Sequence, residues 1–107
     1  MIVNRVPSDN PIHVSKFLAE NGCNKVLWEC GPKLATSAVK AGCIQEFISF
    51  IAPKILGGES AMTPFSDFGF NSMQDVLKLN YKEINLVKGD IYLRSFKDGQ
   101  NLISDSF

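Results

Sequence analysis

The clearest pattern along the chain is an unbroken apolar run, Val26-Leu27-Trp28, that meets an acid at Glu29 and turns through Cys30-Gly31-Pro32. Helical periodicity follows. Leu34, Ala35, Ala38 and Val39 recur at i, i+1, i+4 and i+5, while Thr36, Ser37 and Lys40 face elsewhere. The spacing predicts a strand over Lys25–Cys30 and a helix over Lys33–Ala41, with Pro32 in the first turn and Gly42 as the stop. A second continuous run, Phe47, Ile48, Phe50 and Ile51, predicts a strand over Glu46–Ala52 that Pro53 ends. Both runs lack alternation, which predicts burial on both faces, as in a parallel sheet. Strand, helix and strand in this order predict a right-handed βαβ unit.

Upstream, Ile2–Val6 reads as a short strand and Pro7-Ser8-Asp9-Asn10-Pro11 as a turn. Ser8, Asp9 or Asn10 caps a helix that carries Ile12, Val14, Phe17 and Leu18 and stops at Gly22. Downstream, residues 54–71 are irregular, yet contain Phe65, Phe68 and Phe70. Such a segment either packs on its own domain or closes over a ligand or a subunit interface. Ser72–Leu79 suggests a helical turn. Tyr81–Val87 and Ile91–Phe96 around Lys88-Gly89-Asp90 predict a hairpin. Residues 1–96 read as an ordered core and 97–107 as a polar tail. The two expected helices are too few to cover two strands buried on both faces, so either a partner chain covers the sheet or the chain is part of a larger domain.

Composition narrows the chemistry. The chain has 107 residues, the length of one small domain. Eleven Lys and Arg balance eleven Asp and Glu, and there is no basic run, which argues against nucleic-acid binding. Cys23, Cys30 and Cys43 are odd in number and form no C-x-x-C pair, so reduced thiols and a cytoplasmic setting are expected, without a structural metal. No apolar run reaches the length of a membrane span, and the start lacks the apolar core of a signal peptide. His13 is the single histidine and sits near a helix start, which disfavours Ser-His-Asp or Cys-His catalysis. Neither G-x-x-x-x-G-K-[ST] nor G-x-G-x-x-G occurs.

Glu29 remains the acid to explain. A carboxylate at the carboxyl end of a buried strand is costly unless it is paired. It either hydrogen-bonds a polar ligand or is satisfied by neighbouring backbone N–H groups. Gly31 allows close approach of a ligand to the backbone. Lys33, Thr36 and Ser37 add charge and hydroxyls near the helix start. Together they make a modest anion or phosphate site.

The ordered motifs LWECGPKLATSAVKAG, IQEFISFIAPKILGG and VKGDIYL resemble the C-terminal half of the reductase domain in the riboflavin-biosynthesis deaminase/reductase family. That family's pattern is a strand ending in Glu-Gly-Gly-Pro, a helix ending in Ala-Gly, then Val-Asp-Glu-Leu, Ala-Pro and Leu-Gly-Gly. Glu29, Gly31, Pro32, Leu34, Ala41, Gly42 and Glu46 match it here, as do Ala52-Pro53 and Leu56-Gly57-Gly58. The resemblance spans roughly residues 12–96, and its Trp-Glu-Cys-Gly-Pro form looks most like the plant and cyanobacterial branch. It implies an α/β fold like dihydrofolate reductase, with three layers, a mostly parallel sheet and a C-terminal antiparallel hairpin. Residues 1–107 would be the C-terminal part of that domain.

The resemblance also implies an NADPH-dependent oxidoreductase. Its substrate would be a pyrimidine ribosyl-phosphate, 5-amino-6-(5-phosphoribosylamino)uracil, whose ribosyl group becomes a ribityl chain. Glu29 would contact the substrate. Gly31, Pro32, Lys33, Leu34, Ala35, Thr36 and Ser37 would hold NADPH, with the helix start toward its phosphates. No single catalytic residue is assignable, since hydride transfer rests on placing two ligands. A homodimer is the expected assembly. Two departures stand out: Cys30 replaces the first glycine of the pair, and Gln45 replaces the aspartate before Glu46. The family's N-terminal half is not in this chain, which is read as a fragment. Two other readings compete: a non-catalytic oligomerisation or structural module, and a generic phosphate- or nucleotide-binding domain.

Overall fold

The computed structural model describes residues 9–98. The expected strand Ile2–Val6 and most of the expected tail lie outside them. Five elements follow in order: α1 (Pro11–Glu20), α2 (Pro32–Lys40), β1 (Phe47–Ile51), β2 (Leu79–Val87) and β3 (Asp90–Lys97). They fall into two compact units. One contains α1, α2 and residues 62–69; the other contains the three strands.

In the helical unit, Asn10 is the cap that sequence left open among three residues. Its Oδ1 accepts the Ile12 N–H at 3.0 Å, and Pro11 takes the position where a missing N–H costs nothing. Both helices end in the same way. Gly22 N–H donates to Ala19 O and Cys23 N–H to Leu18 O. Gly42 N–H and Cys43 N–H repeat this on Val39 O and Ala38 O, each at 3.0 Å. This pair of reversed bonds is the Schellman ending, and it needs a left-handed residue, met by φ of +87° at Gly22 and +74° at Gly42. The second helix begins and ends one residue earlier than the apolar period suggested.

In the strand unit the order is β1-β3-β2, with both pairings antiparallel. The hairpin forms where expected, and the strands run one or two residues further than the alternation showed. Lys88 (φ +52°) and Gly89 (φ +88°) make its two-residue loop, since a type I′ turn requires positive φ at both positions. In β2, Tyr81 pairs with Ser95 and Glu83 with Arg94, so Lys82 is the extra residue of a bulge. Ser72–Asp75 forms a turn in place of a helical segment, closed by the Asp75 N–H to Ser72 O bond.

The α/β assignment and the terminal hairpin hold, but one expected element does not. Lys25–Cys30 carries no strand pairing, and the βαβ unit built on it is absent among the described residues. Apolar content alone cannot make a strand. Each N–H and C=O needs a ladder partner, and the strands paired here are β1, β3 and β2. Val26 and Leu27 are accordingly 45% and 74% exposed. The expected parallel neighbour of β1 is lost with that strand, and β1 lies antiparallel on β3 instead.

The expected two-sided burial also fails for β1, where only Phe47 is half-buried. Cross-strand partners share a sheet face. One face therefore gathers Tyr81, Ile84, Leu86, Ile91 and Leu93, and Leu86 is 80% exposed. The other face carries Phe50 and Tyr92, whose rings lie 5.3 Å apart, beside Arg94 and Glu83. The only fully buried apolar side chain among the described residues is Ala38. Such exposed apolar faces agree with the shortage of cover read from the pattern.

Candidate functional site

The turn into α2 is the candidate site. Gly31 is the N-cap in extended conformation (φ −72°, ψ 171°), and no side chain caps the helix. Pro32 brings no N–H. Ala35 N–H closes the first helical bond on Gly31 O at 3.0 Å. The N–H groups of Lys33 and Leu34 therefore precede the intrahelical ladder and point out of the helix start. Their partial positive charge suits an anion.

Gly31 does not owe its identity to the fold. Its φ is available to any residue, and a Cβ built there meets nothing within 4 Å. Open space above uncapped N–H groups is the arrangement a phosphate-bearing ligand uses.

The expected site residues separate into two groups. Glu29, Gly31, Lys33, Leu34 and Ser37 are exposed around the helix start. Pro32 and Ala35 are half-buried, and Thr36 is buried. Thr36 Oγ1 accepts the Ser66 N–H at 2.8 Å and the Ser66 hydroxyl at 3.0 Å. Residues 62–69 thus pack on α2, while residues 54–61 of the same irregular segment are exposed. Phe65 and Phe68 stack at 5.8 Å, and the Lys40 ammonium sits 5.9 Å from the Phe68 ring centre. Asp67 Oδ1 accepts the Gly69 N–H at 2.7 Å, which closes the end of the loop.

The strand unit has a charge cluster that sequence reading did not anticipate. Glu46 Oε1 lies 3.5 Å from Arg94 Nε and 4.0 Å from Lys82 Nζ, and Arg94 Nη1 lies 3.9 Å from Glu83 Oε1. All three atoms at the centre are shut off from solvent. The bulge that places Lys82 leaves no mark in the alternation, so only the pairing register shows it. His13 and the three free cysteines belong to no metal-type cluster among the described residues. No helix there is long and apolar enough to cross a membrane.

Fold and turn together define an α/β domain with an uncapped helix start. Compared with known proteins, residues 12–93 match the family described as "RibD C-terminal domain". The chain belongs to that family. It is 44% identical over 69 residues to the riboflavin biosynthesis protein RibD of Synechocystis, covering 64% of this chain and 19% of that protein. It is 40% identical over 89 residues to RibD of Bacillus amyloliquefaciens, covering 82% of this chain and 24% of that protein. The chloroplastic PYRR protein of Arabidopsis thaliana is 40% identical over 70 residues, which cover 65% of this chain and 12% of that protein. Among solved structures, RibD of Acinetobacter baumannii superposes with a TM-score of 0.71 at 25% identity, over 91% of this chain and 26% of that one. The chain thus spans about a quarter or less of the length of these relatives.

Proposed function

We propose that this chain is the C-terminal part of an NADPH-dependent reductase of riboflavin biosynthesis. The substrate is 5-amino-6-(5-phosphoribosylamino)uracil, whose ribosyl group is reduced to the ribityl form. The observation that carries the reading is Gly31. The fold leaves its Cβ position open and its helix start uncapped, so the glycine is explained by a ligand that comes close.

NADPH supplies the hydride when bound. The residues that would hold it lie within Gly31 to Ser37, with the Lys33 and Leu34 N–H groups and the Lys33 and Ser37 side chains toward phosphate. Glu29, exposed at the other side of the turn, accepts hydrogen bonds from substrate hydroxyls. Cys30 is exposed, which fits its tolerance in place of glycine. The exposed apolar faces of the sheet support association, with a second copy as the expected partner. The proposed location is cytoplasmic, in keeping with three free thiols.

Gly31→Ser tests the assignment without harming the fold. Serine is a good N-cap, so stability stays level or rises. Its hydroxyl takes one of the N–H groups and fills the open space, so NADPH affinity falls at least tenfold by titration. Equal NADPH affinity in Gly31→Ser and the parent chain rejects this placement of the cofactor. Absence of NADPH binding by the parent rejects the cofactor reading for this chain.

A further inference from the structure

Seven consecutive residues of the α2 turn were expected to touch the cofactor, and Thr36 is the one whose hydroxyl the structure commits elsewhere. The residue is 4% exposed. Its oxygen accepts two hydrogen bonds, both from Ser66, thirty positions along the chain. These bonds take both lone pairs of the oxygen, and at 4% exposure the residue offers almost no surface from which its O–H could reach a ligand. One helical turn on, Lys40 meets Phe68 of the same loop. Residues 36 and 40 share a helix face, so the loop is held on α2 at two points along that face. Lys33 and Ser37 are exposed, outside the part that the loop covers.

We propose that Thr36 and Ser66 form a pin that fixes loop 62–69 along α2, making Thr36 a positioning residue for the cofactor turn and not a contact to the cofactor. The inference rests on the cofactor reading above and refines it. The loop is a fixed brace, so it does not open and close as a lid. The brace holds the helix whose first N–H groups receive the phosphate. Preorganised donors bind more tightly than donors that must first be ordered.

The test compares Thr36→Val, Thr36→Ser and Ser66→Ala in the full chain. Valine keeps the shape and removes both acceptor positions. Amide exchange at Ser66 should accelerate about tenfold in Thr36→Val, the worth of one net hydrogen bond. It should return to the parent rate in Thr36→Ser. NADPH affinity should weaken about threefold to tenfold in Thr36→Val, recover in Thr36→Ser, and weaken by a smaller factor in Ser66→Ala, which keeps the backbone N–H bond. The double variant Thr36→Val/Ser66→Ala should lose no more than Thr36→Val alone, because the two residues act through one link.

Unchanged Ser66 exchange in Thr36→Val overturns the pin. Weaker NADPH binding in Thr36→Val without faster Ser66 exchange overturns the positioning role and makes Thr36 a direct contact. If the parent chain binds no NADPH, the cofactor reading falls and the positioning role falls with it. The exchange arm then reports separately on the pin.

Discussion

Replacing Glu46 with Gln removes the anion from a sealed cluster and leaves the two cations in place. In the parent, Glu46 Oε1 faces Arg94 Nε at 3.5 Å and Lys82 Nζ at 4.0 Å, with side-chain exposures of only 11% to 16%. At an effective dielectric of about 20, these separations correspond to attractions of about 5 and about 4 kcal/mol. Desolvation of three charges offsets much of that gain. The loss on removing one partner is larger than the net worth of the cluster, because the buried Lys82 Nζ and Arg94 Nε lose their shared anion, while Arg94 keeps Glu83. We expect about 3 kcal/mol, the low end for a buried pair, since some exposure remains.

Urea unfolding checks this value. The two tyrosines, Tyr81 and Tyr92, both lie in strands, and their near-ultraviolet circular dichroism reports on that unit once Trp28 of the helical unit is replaced by Phe. With a slope of about 1.5 kcal/mol per molar, the midpoint should drop by about 2 M. Added salt should change the parent little, because the pairs are sealed from the ionic atmosphere. In a double-mutant cycle, Arg94→Gln should cost about 2 kcal/mol less on the Glu46→Gln background than alone. A midpoint within about 0.3 M of the parent, or strict additivity in the cycle, refutes the energetic role assigned to the cluster.

Further expectations concern single positions. Lys88→Asn should stabilise the hairpin by about 0.5 kcal/mol in urea unfolding, because Asn accepts the positive φ that Lys88 holds at +52°. Gly42→Ala should cost about 1 kcal/mol through strain at φ +74°, and the Cys43 amide should lose exchange protection before the middle of α2 does. Asn10→Ala should cost about 1 kcal/mol by removing the bond to Ile12 N–H, with fraying at the start of α1 visible by exchange.

Helices were the most legible part of the chain because their determinants are local. Caps, a first-turn proline and a stopping glycine act within a few residues, so Pro11–Glu20 and Pro32–Lys40 could be read to within a residue or two. The hairpin was equally local, since Lys88-Gly89 settles both the turn and the register of β2 on β3. The exposed turn residues around Gly31 were readable for the same reason.

What the sequence could not decide depends on partners distant along the chain. Val26-Leu27-Trp28 has the composition of a strand, but a strand exists only where another backbone offers a ladder, and here none of the described strands does. Thr36 and Ser37 look alike as hydroxyls near a helix start. Only the arrival of Ser66 from thirty residues away buries the first and leaves the second in solvent. The Glu46–Arg94–Lys82 cluster needs β1, β3 and a bulge in β2 to meet, and no local pattern encodes that meeting. Local chemistry thus determined the helices, the hairpin and the turn into α2. Tertiary pairing decided which of the candidate residues are free to meet a ligand, because burial and hydrogen bonding are properties of neighbours and not of residue type.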